Sequence, residues 1–280
     1  MTLLLLALVS GALAFAQTPA PSPTGAQQNQ APPAASTSKT GDAYDVPDRW
    51  SLGVFYWMTD GRPTMIGGQQ AVSVPAQSLS LPDARRNAKG VDITAPAGRY
   101  NTLEISGFEA KGFGSLTTPI SLSLFGTAFA NGDFLATDFR LRNVKVSWNY
   151  LTWPAPPGNS RFRLKTLWQV QYVDMRMEAI APLDASLPGA TGSKTIILPT
   201  LGLGVDLVAS KHFRIEAKAS GFALPHRSAI VDGEGTAVGR FGHVEVFAGG
   251  KYFYFKTSPK ADEYFKGALK GPFAGIRWVF

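Results

Sequence analysis

The sequence predicts an all-β fold, an antiparallel barrel that spans a membrane, and three observations lead to this prediction. From residue 49 onward, apolar and polar residues alternate with a period of two, which is typical of strands with one apolar face. Aromatic residues gather near the ends of those apolar faces, as they do in the interfacial belts of membrane barrels. Charged residues make up 17% of the chain, fewer than the roughly 25% of an average soluble domain.

Composition and charge exclude several classes of site and partner. The 280 residues include no cysteine, which excludes disulfides, thiol catalysis and thiolate metal ligands together. Lys and Arg number 27 against 20 Asp and Glu, which gives a formal charge of +7. This excess is not concentrated in a basic run or a basic helix, so the sequence predicts no nucleic-acid partner.

The first 47 residues are predicted to precede the barrel. An apolar run begins at Leu3 and ends at Ala14-Phe15-Ala16. This pattern predicts a secretory signal peptide over residues 1–16, with Gln17 as the first mature residue. Residues 17–47 consist mainly of Pro, Ala, Gln, Ser and Thr, which predicts a disordered linker. Residues 48–280 are assigned to one barrel domain.

Eight strands are expected, with ten as the alternative. The first covers about residues 50–59, where Trp50, Val54 and Met58 share a face. Residues 60–98 contain scattered Gly and Pro and predict a loop. The second strand covers about residues 100–108. Residues 110–135 are ambiguous, so either this stretch or 60–98 could supply the further pair that makes ten.

The third and fourth strands, about 137–152 and 160–179, each change the parity of their charged residues partway along. In the third strand, the charges move from even positions such as Arg142 to odd positions, beginning with Lys145. In the fourth, they move from odd positions to even ones, beginning with Asp174. Because one extra residue shifts the register of a strand, this pattern predicts β-bulges near Arg142-Asn143 and near Val173.

Four more strands complete the expected barrel, at about residues 196–208, 212–220, 239–256 and 273–280. The connection at 223–237 contains Asp232-Gly233-Glu234, which predicts a Gly-rich turn. The stretch 257–271 predicts a polar loop. An even number of strands places both termini on the same side of the membrane.

The two faces of the predicted sixth strand imply unequal losses of stability for two substitutions. Ile215 lies on the apolar face and is expected to face lipid, whereas Lys218 lies on the polar face. Ile215→Arg should therefore cost about 2–4 kcal/mol, and Lys218→Ala much less.

The most regular strand is the last. Ala274, Ile276, Trp278 and Phe280 fall on one face of residues 273–280, and no polar tail follows. This stretch resembles the terminal strand of bacterial outer-membrane β-barrel proteins. The resemblance implies an outer-membrane location, recognition of the C-terminal strand by the barrel-assembly machinery, and contact with outer-membrane lipid. Deletion of Phe280 should then impair insertion.

The polar faces are expected to meet inside the barrel, because a membrane barrel turns its apolar side chains to lipid and encloses the polar ones. The residues predicted to form this interior charged network are Glu104, Arg140, Arg142, Lys145, Arg161, Arg163, Lys165, Asp174, Arg176, Asp206, Arg214, Glu216, Lys218, Glu245, Lys251 and Arg277. With Asp138 and Glu178 included, eleven cations oppose seven carboxylates. Eight strands enclose an interior that side chains can just fill.

The outer faces are expected to carry an aromatic belt at the membrane interfaces. The belt and assembly residues are Trp50, Trp148, Tyr150, Trp168, Tyr172, Tyr252, Tyr254, Trp278 and Phe280.

No catalytic residue, metal site or cofactor is predicted. A lipid hydrolase would need a Ser, a His and a carboxylate in contact, but His212 and Ser220 are separated by about 27 Å along one strand. Glu216, His243 and Glu245 are the other candidates, and the interior network accounts for them equally well. The three histidines, including His226, have no zinc-ligand spacing.

The sequence therefore predicts an outer-membrane barrel with a structural role, a charged interior filled by side chains, and loops at 60–98 and 257–271 that contact a partner. The alternative is a narrow porin-like channel with a slight anion preference, from the positive surplus. A lipid hydrolase of the outer membrane is the third hypothesis.

Overall fold

The computed structural model describes residues 48–60, 64–67, 77–80, 86–119, 121–155, 160–184, 186–224, 228–257 and 264–280. The predicted signal peptide and linker lie outside the described residues. No helix in the described part of the chain is long and apolar enough to cross a membrane.

Fourteen strands are found among the described residues. In chain order they are β1 (Ser51–Thr59), β2 (Thr64–Gly67), β3 (Gln77–Ser80), β4 (Arg86–Pro96), β5 (Asn101–Thr117), β6 (Leu122–Leu124), β7 (Thr127–Phe129), β8 (Phe134–Trp153), β9 (Phe162–Ile180), β10 (Ala190–Ser210), β11 (Phe213–Ala223), β12 (Ala229–Phe241), β13 (Val244–Lys256) and β14 (Tyr264–Val279).

Ten of these strands form a closed antiparallel barrel. Its order is β1-β4-β5-β8-β9-β10-β11-β12-β13-β14, and β14 pairs with β1 to close the wall. The closing pair runs from Ser51↔Val279 to Trp57↔Phe273. Closure leaves no free edge along this pair, which suits a wall in lipid because lipid cannot hydrogen-bond to exposed backbone.

The strand number is ten, so the expectation of eight was wrong. The alternative of ten is correct in number, but the two further strands come from different stretches and not as a pair from 60–98 or 110–135. The first strand missed is β4, inside the predicted loop 60–98. The second is β12, which includes the predicted turn at Asp232-Gly233-Glu234. Strand β12 escaped notice because glycines such as Gly233 and Gly235 occupy its outer face, which therefore lacks the large side chains that mark a strand. Strand β4 has Val91 and Ile93 on its outer face, but the Gly and Pro residues scattered through 60–98 indicated a loop.

Neither predicted bulge is present. The β8–β9 pairing continues without a shift from Ala136↔Ile180 to Leu151↔Lys165, and the one irregularity in this pair lies between Leu151 and Trp153. The register stays constant along both strands, so the change of parity has another cause. In one half of each strand the charged side chains point outward, and in the other half they point inward.

One end of the barrel contains the start of β1 and the end of β14, and it is here called the near end. The opposite end is called the far end. The near-end connections are 97–100, 154–161, 211–212 and 242–243. The far-end connections are 60–85, 118–133, 181–189, 224–228 and 257–263, and the first three are longer than any at the near end. Two hairpins, β2–β3 and β6–β7, lie in the far-end connections. Strand β2 also pairs with β14 through Tyr264↔Ile66 and Lys266↔Thr64, which extends the wall beyond β14. The stretches 60–98 and 257–271, which were predicted as contact loops, are therefore partly barrel wall, because β4 lies in the first and β14 begins in the second.

An apolar band surrounds the outside of the near half. On β10 it runs from Ile197 to Leu207, with every second side chain pointing outward, and Leu203 is 57% exposed. Ten residue steps correspond to about 33 Å along a strand. At a tilt of about 40° this length spans a layer about 25 Å thick, which matches the apolar band of membrane barrels.

Candidate functional site

The inside of the near half contains a set of ion-paired side chains, here called the interior network. Its cations are Lys145, Arg163, Lys165, Arg214, Lys218, Lys251 and Arg277. Its carboxylates are Asp48, Asp92, Glu104, Asp206, Glu216, Asp232, Glu234 and Glu245. They form three clusters.

The first cluster is an alternating chain of lysines and carboxylates across β8, β12, β13 and β11. Lys145 Nζ lies 2.7 Å from Asp232 Oδ2, and Lys251 Nζ lies 2.8 Å from Glu234 Oε2 and 3.5 Å from Asp232 Oδ1. Lys218 Nζ lies 3.7 Å from Glu234 Oε1. Each charge therefore has an opposite charge on another strand, as a buried charge requires, and the Lys145–Asp232 contact crosses the interior from β8 to β12.

The second cluster centres on two arginines. Arg214 donates to both carboxylate oxygens of Glu245 over 2.6 and 2.8 Å, and its Nε donates to Glu216 over 2.6 Å. Arg277 donates to Asp92 over 3.1 Å and to Glu245 over 3.3 Å. The planar guanidinium suits such bidentate pairing, which fixes β4, β11, β13 and β14 to one another.

The third cluster closes the near mouth with a residue that precedes the barrel wall. Asp48 accepts hydrogen bonds from Lys165 Nζ over 3.1 and 3.2 Å and from the Thr102 hydroxyl, and Arg163 lies 3.8 Å away. Lys165 also lies 3.0 Å from Asp206. Burial acts to raise the pKa of Asp48, but Lys165 and Arg163 outweigh it and hold that pKa well below its ordinary range.

Uncharged polar side chains continue the network across β8, β9 and β10. Each donates to the next in a chain that ends at Glu104 Oε2, where Asn149 donates over 3.1 Å. The chain comprises Asn143, Gln171, Thr200, Gln169, Ser147 and Asn149. All six are buried, so they satisfy one another without bulk water.

The inside of the far half is mostly apolar, although Lys194 of β10 shares its inner face, and this layer is here called the apolar plug. The ring of Phe108 makes edge-on contacts with Trp57 and Phe253, at centroid distances of 5.2 and 5.3 Å. Leu141 and Met175 are fully buried in the same cluster. Such close packing of aromatic and aliphatic side chains leaves little room for water or ions.

The β6–β7 hairpin covers the plug at the far end. Leu124 and Phe129 are buried, and Phe125 stacks on Phe265 of β14 at 5.6 Å. The ring of Phe125 also lies directly over Gly192, where an added Cβ would overlap it. Glycine at this position therefore allows the hairpin to seat in the mouth.

Two cavities lie within the interior network. One of about 70 Å³ opens at the near mouth between Asp48, Arg163 and Glu245. The other, about 30 Å³, lies deeper between Glu104, Lys251 and Arg277. Such volumes hold a few water molecules.

Seven of the predicted interior charges lie elsewhere, and their assignment is corrected. Six point outward on the far half of β8 and β9, namely Asp138, Arg140, Arg142, Asp174, Arg176 and Glu178. The seventh, Arg161, is exposed at the near end. The first six share the outward parity of Val144 and Tyr172, but they lie beyond the apolar band. The structure places the other predicted charges in the interior network: Glu104, Lys145, Arg163, Lys165, Asp206, Arg214, Glu216, Lys218, Glu245, Lys251 and Arg277.

Four interior carboxylates were missed by the sequence reading. They are Asp48, Asp92, Asp232 and Glu234. Asp232 and Glu234 alternate with outward glycines of β12, and this alternation was the signal that could have found them. The ion-paired interior therefore has seven cations and eight carboxylates among the described residues, so the expected positive surplus is absent.

The predicted belt residues all point outward. Trp50, Trp148, Trp168, Trp278 and Phe280 lie toward the near end, and each is exposed. The other four belt residues also point outward. Tyr150 lies toward the near end, and Tyr172, Tyr252 and Tyr254 lie closer to the far end.

The structure does not bring the hydrolase candidates together. His212 lies in an exposed turn with Nδ1 3.2 Å from the Arg240 carbonyl, whereas Ser220 is buried at the opposite end of β11. His243 Nδ1 lies 2.9 Å from the Val279 carbonyl, and its ring stacks on Trp278. Glu216 and Glu245 are bound by arginines, and His226 lies outside the described residues. Within the described ranges, no three His, Asp or Glu side chains are grouped to hold a metal ion.

Comparison with known proteins identifies the fold. No protein-family model matches the chain, and no curated sequence matches it. Among solved structures, the outer-membrane protease OmpT of Escherichia coli aligns with a TM-score of 0.53 at 9% identity, covering 84% of this chain and 98% of that one. The attachment invasion locus protein Ail of Yersinia pestis aligns at 0.37 and 10% identity, covering 82% and 99%. The toluene transporter TodX of Pseudomonas putida aligns at 0.34 and 11% identity, covering 84% and 91%.

At 9% identity, the likeness to OmpT concerns the fold and does not decide whether this chain is an enzyme. With its closed antiparallel wall, outer apolar band and polar near-half interior, the chain has the fold of the bacterial outer-membrane β-barrels.

Proposed function

We propose that this protein is a non-conducting barrel of the bacterial outer membrane that presents its far end to partners outside the cell. The observation that carries this proposal is the filling of the interior by two successive layers. Ion-paired side chains fill the near half, and the apolar plug with its hairpin fills the far half. An ion would have to cross a layer with few polar partners, which is costly.

The charge balance of the interior supports the same proposal. A selective channel presents an excess of one charge along a water-filled path. Here the cations and carboxylates pair directly, as in the 2.7 Å contacts of Lys145 with Asp232 and of Lys218 with Glu104. The anion preference considered from the sequence has no unpaired cations in the described network to support it.

The far end provides the surface for contact. Nine residues of β8, 134–142, rise beyond the apolar band, about 30 Å along the strand. The wall there carries charged side chains outside and the plug inside, so it is a rigid platform. Phe113 of β5 points outward from it and is 82% exposed. An isolated aromatic side chain on such a platform is suited to anchor a partner.

Location and assembly are part of the proposal. The apolar band and outward aromatics suit a membrane, and the fold is that of outer-membrane barrels. The C-terminal strand β14 would then be recognised by the barrel-assembly machinery, and a cleaved leader over residues 1–16 would direct export.

Planar-bilayer recording of the purified full-length protein tests the seal. We expect no steady conductance, together with the shift in gel migration on heating that marks a folded membrane barrel. A porin inserted in the same bilayers controls for sensitivity. Steady single-channel steps from the wild-type protein would overturn the proposal.

A variant can show that the plug is the seal. Replacing Trp57, Phe108 and Phe253 by alanine removes the three contacting rings at the centre of the plug. The matched control replaces the outward Trp148, Trp168 and Trp278 by alanine, which removes rings of similar size from the lipid side. We expect intermittent conductance from the plug variant alone. Silence from both variants, with folding intact, would place the seal in the interior network.

A further inference from the structure

A groove crosses the outside of the wall where β14, β1, β4, β5 and β8 meet. Its floor lies at two small outward residues, Gly107 of β5 and Ala274 of β14. Larger outward side chains form its sides, among them Tyr56, Val91 and Val144. The groove has a volume of about 750 Å³, which falls within the roughly 300–1,000 Å³ of small-molecule sites.

One end of the groove is charged. Lys89, Glu109 and Arg142 line it, and they are in register with one another across β4, β5 and β8. The next outward row toward the near end is apolar throughout: Val91, Gly107 and Val144. On each of these three adjacent strands, the outward side chains therefore change from apolar to charged between one outward residue and the next, two positions along the chain.

The charged end carries a surplus of cations. Two rows directly beyond the apolar band on β4, β5, β8 and β9 contain five cations and two carboxylates: Lys89, Lys111, Arg140, Arg142, Arg176, Glu109 and Asp174. The following row, one outward step farther from the groove, adds the carboxylates Asp138 and Glu178. On β10, the positions in register with Arg176 and Asp174 are Ser193 and Thr195, which have no charge. The cationic patch thus ends at β10.

The two carboxylates do not neutralise the patch. Glu109 pairs with Lys111 over 2.7 Å and with Arg142 over 2.9 Å, while Asp174 lies 4.0 Å from Arg140. Lys89 and Arg176 form no ion pair within the described part of the chain. A guanidinium has five N–H donors, so Arg142 and Arg140 keep donors for a further acceptor.

From this arrangement we propose that the groove holds one phosphorylated glycolipid of the outer leaflet, of the lipid A type. An acyl chain would lie along Val91, Gly107 and Val144, and the phosphates would contact the cations above. The inference rests on the membrane placement in the proposed function, because the far half then faces the outer leaflet. Arginine binds phosphate through paired N–H donors, and basic pockets at a membrane surface select anionic headgroups.

The width of the patch favours a lipid with two phosphates over a phospholipid with one. The cations lie on four adjacent strands, and neighbouring strands are about 4.8 Å apart. The patch is therefore about 14 Å wide between its outer strands. One phosphate can contact the cations of only one or two strands, whereas a bisphosphorylated disaccharide can span the patch.

Native mass spectrometry of the full-length protein in mild detergent tests the site. The probes are bisphosphorylated lipid A, phosphatidylglycerol and phosphatidylcholine, each titrated onto delipidated protein. We expect one lipid A per barrel, bound at least about tenfold more tightly than phosphatidylglycerol, since one phosphate makes fewer charge-assisted contacts. Equal binding of the two anionic lipids, or tighter binding of phosphatidylglycerol, would overturn the proposal.

Two variants locate the lipid, and one controls for charge. Lys89→Gln with Arg142→Gln should weaken lipid A binding about tenfold or more, since two charge-assisted contacts are lost. Ala274→Phe fills the groove without changing charge and should also weaken binding. Lys256→Gln with Lys266→Gln, an in-register pair away from the groove, removes the same charge and should change binding less than about twofold.

An equal loss in the control pair would show general charge attraction and refute the site. Heat-dependent gel migration reports folding for every variant. A folded, non-conducting barrel without lipid A selectivity would refute the lipid site alone, whereas a conducting barrel would refute the proposed function and leave the lipid measurement standing.

Discussion

The two halves of the barrel are built from the same strands but have opposite polarity. In the near half, Val144 and Tyr172 face outward while Lys145 and Gln171 face inward. In the far half of the same strands, Arg140 and Arg176 face outward while Leu141 and Met175 face inward. The alternation and the register are unbroken between them.

This inversion follows from the medium that surrounds each half. In lipid, an outward side chain must be apolar, and the polar side chains collect inside and pair. Beyond the lipid, the outward side chain meets water, and the inside becomes a packed apolar core as in a soluble protein. The level at which the polarity inverts therefore marks the membrane edge. Four predictions test this account of the wall and its interior.

The largest effect is expected inside the near half. Lys218→Ala removes the partner of Glu104, at 2.7 Å, and of Glu234, leaving two buried carboxylates short of a cation. Such a loss costs about 3–5 kcal/mol. The expectation from the sequence, that this change is mild, is therefore reversed. Urea titration of the folded gel band measures it.

A compensating variant separates charge from packing. Glu104→Gln combined with Lys218→Ala should recover part of the loss, because one unpaired carboxylate is removed. If the double variant is no more stable than Lys218→Ala, charge pairing is not what Lys218 contributes.

The next effect compares two levels of the outer wall. Ile215→Arg places a charge within the apolar band on β11 and should cost about 2–4 kcal/mol. Ser193→Arg places the same side chain on β10 beyond the band, and should change stability by no more than about 0.5 kcal/mol. The folded fraction in urea-containing lipid vesicles measures both. Similar costs would contradict the assigned membrane edge.

A smaller effect is expected at the near mouth. Asp48→Asn weakens the contacts with Lys165 and Arg163 and should cost about 1–2 kcal/mol, since hydrogen bonds to charged groups are lost. The folded-state pKa of Asp48 is lowered. Its contribution is therefore fully present above the unfolded pKa of about 4 and is lost as pH falls through the lower, folded value.

The pH dependence supplies the control. The wild type should exceed the Asp48→Asn variant in stability by a constant amount from about pH 5 to pH 8. The difference should shrink only in stronger acid. A difference that disappears near neutral pH would mean that Asp48 is not ion-paired in solution.

The smallest effect on stability is expected at the C-terminus. Phe280 is 66% exposed, and its backbone N–H donates to the Trp50 carbonyl over 2.9 Å. Its deletion should cost no more than about 1.5 kcal/mol. Assembly in cells should nevertheless fall, because the terminal aromatic is proposed as the assembly signal. Normal insertion after deletion would refute that signal and leave the fold unaffected.

Much of the wall could be predicted from residue pattern alone. Period-two alternation located β1, β8, β9 and β11 to within about three residues, whereas β10 begins six residues before its predicted start. The outward position of the four belt tryptophans, Trp50, Trp148, Trp168 and Trp278, followed from parity. Strand β12 escaped because small residues occupy much of its outer face, and β4 escaped because the Gly and Pro residues around it indicated a loop. A glycine on a lipid-facing position leaves the same pattern as a turn.

The site was less predictable, because its charges come together only on closure. Lys145 and Asp232 are 87 residues apart in the chain, and Asp48 meets Lys165 across 117. No local spacing encodes either contact.

By itself the sequence determined which side chains share a face, because a strand alternates them strictly and the register is nearly unbroken. Only the tertiary structure decided what each face meets. The strands β8 and β9 run past the membrane edge, so Arg140, Arg142 and Arg176 lie in water although their parity is that of lipid-facing residues. Alternation specifies two sides of a wall, whereas strand length and closure decide where lipid ends and which charges become partners.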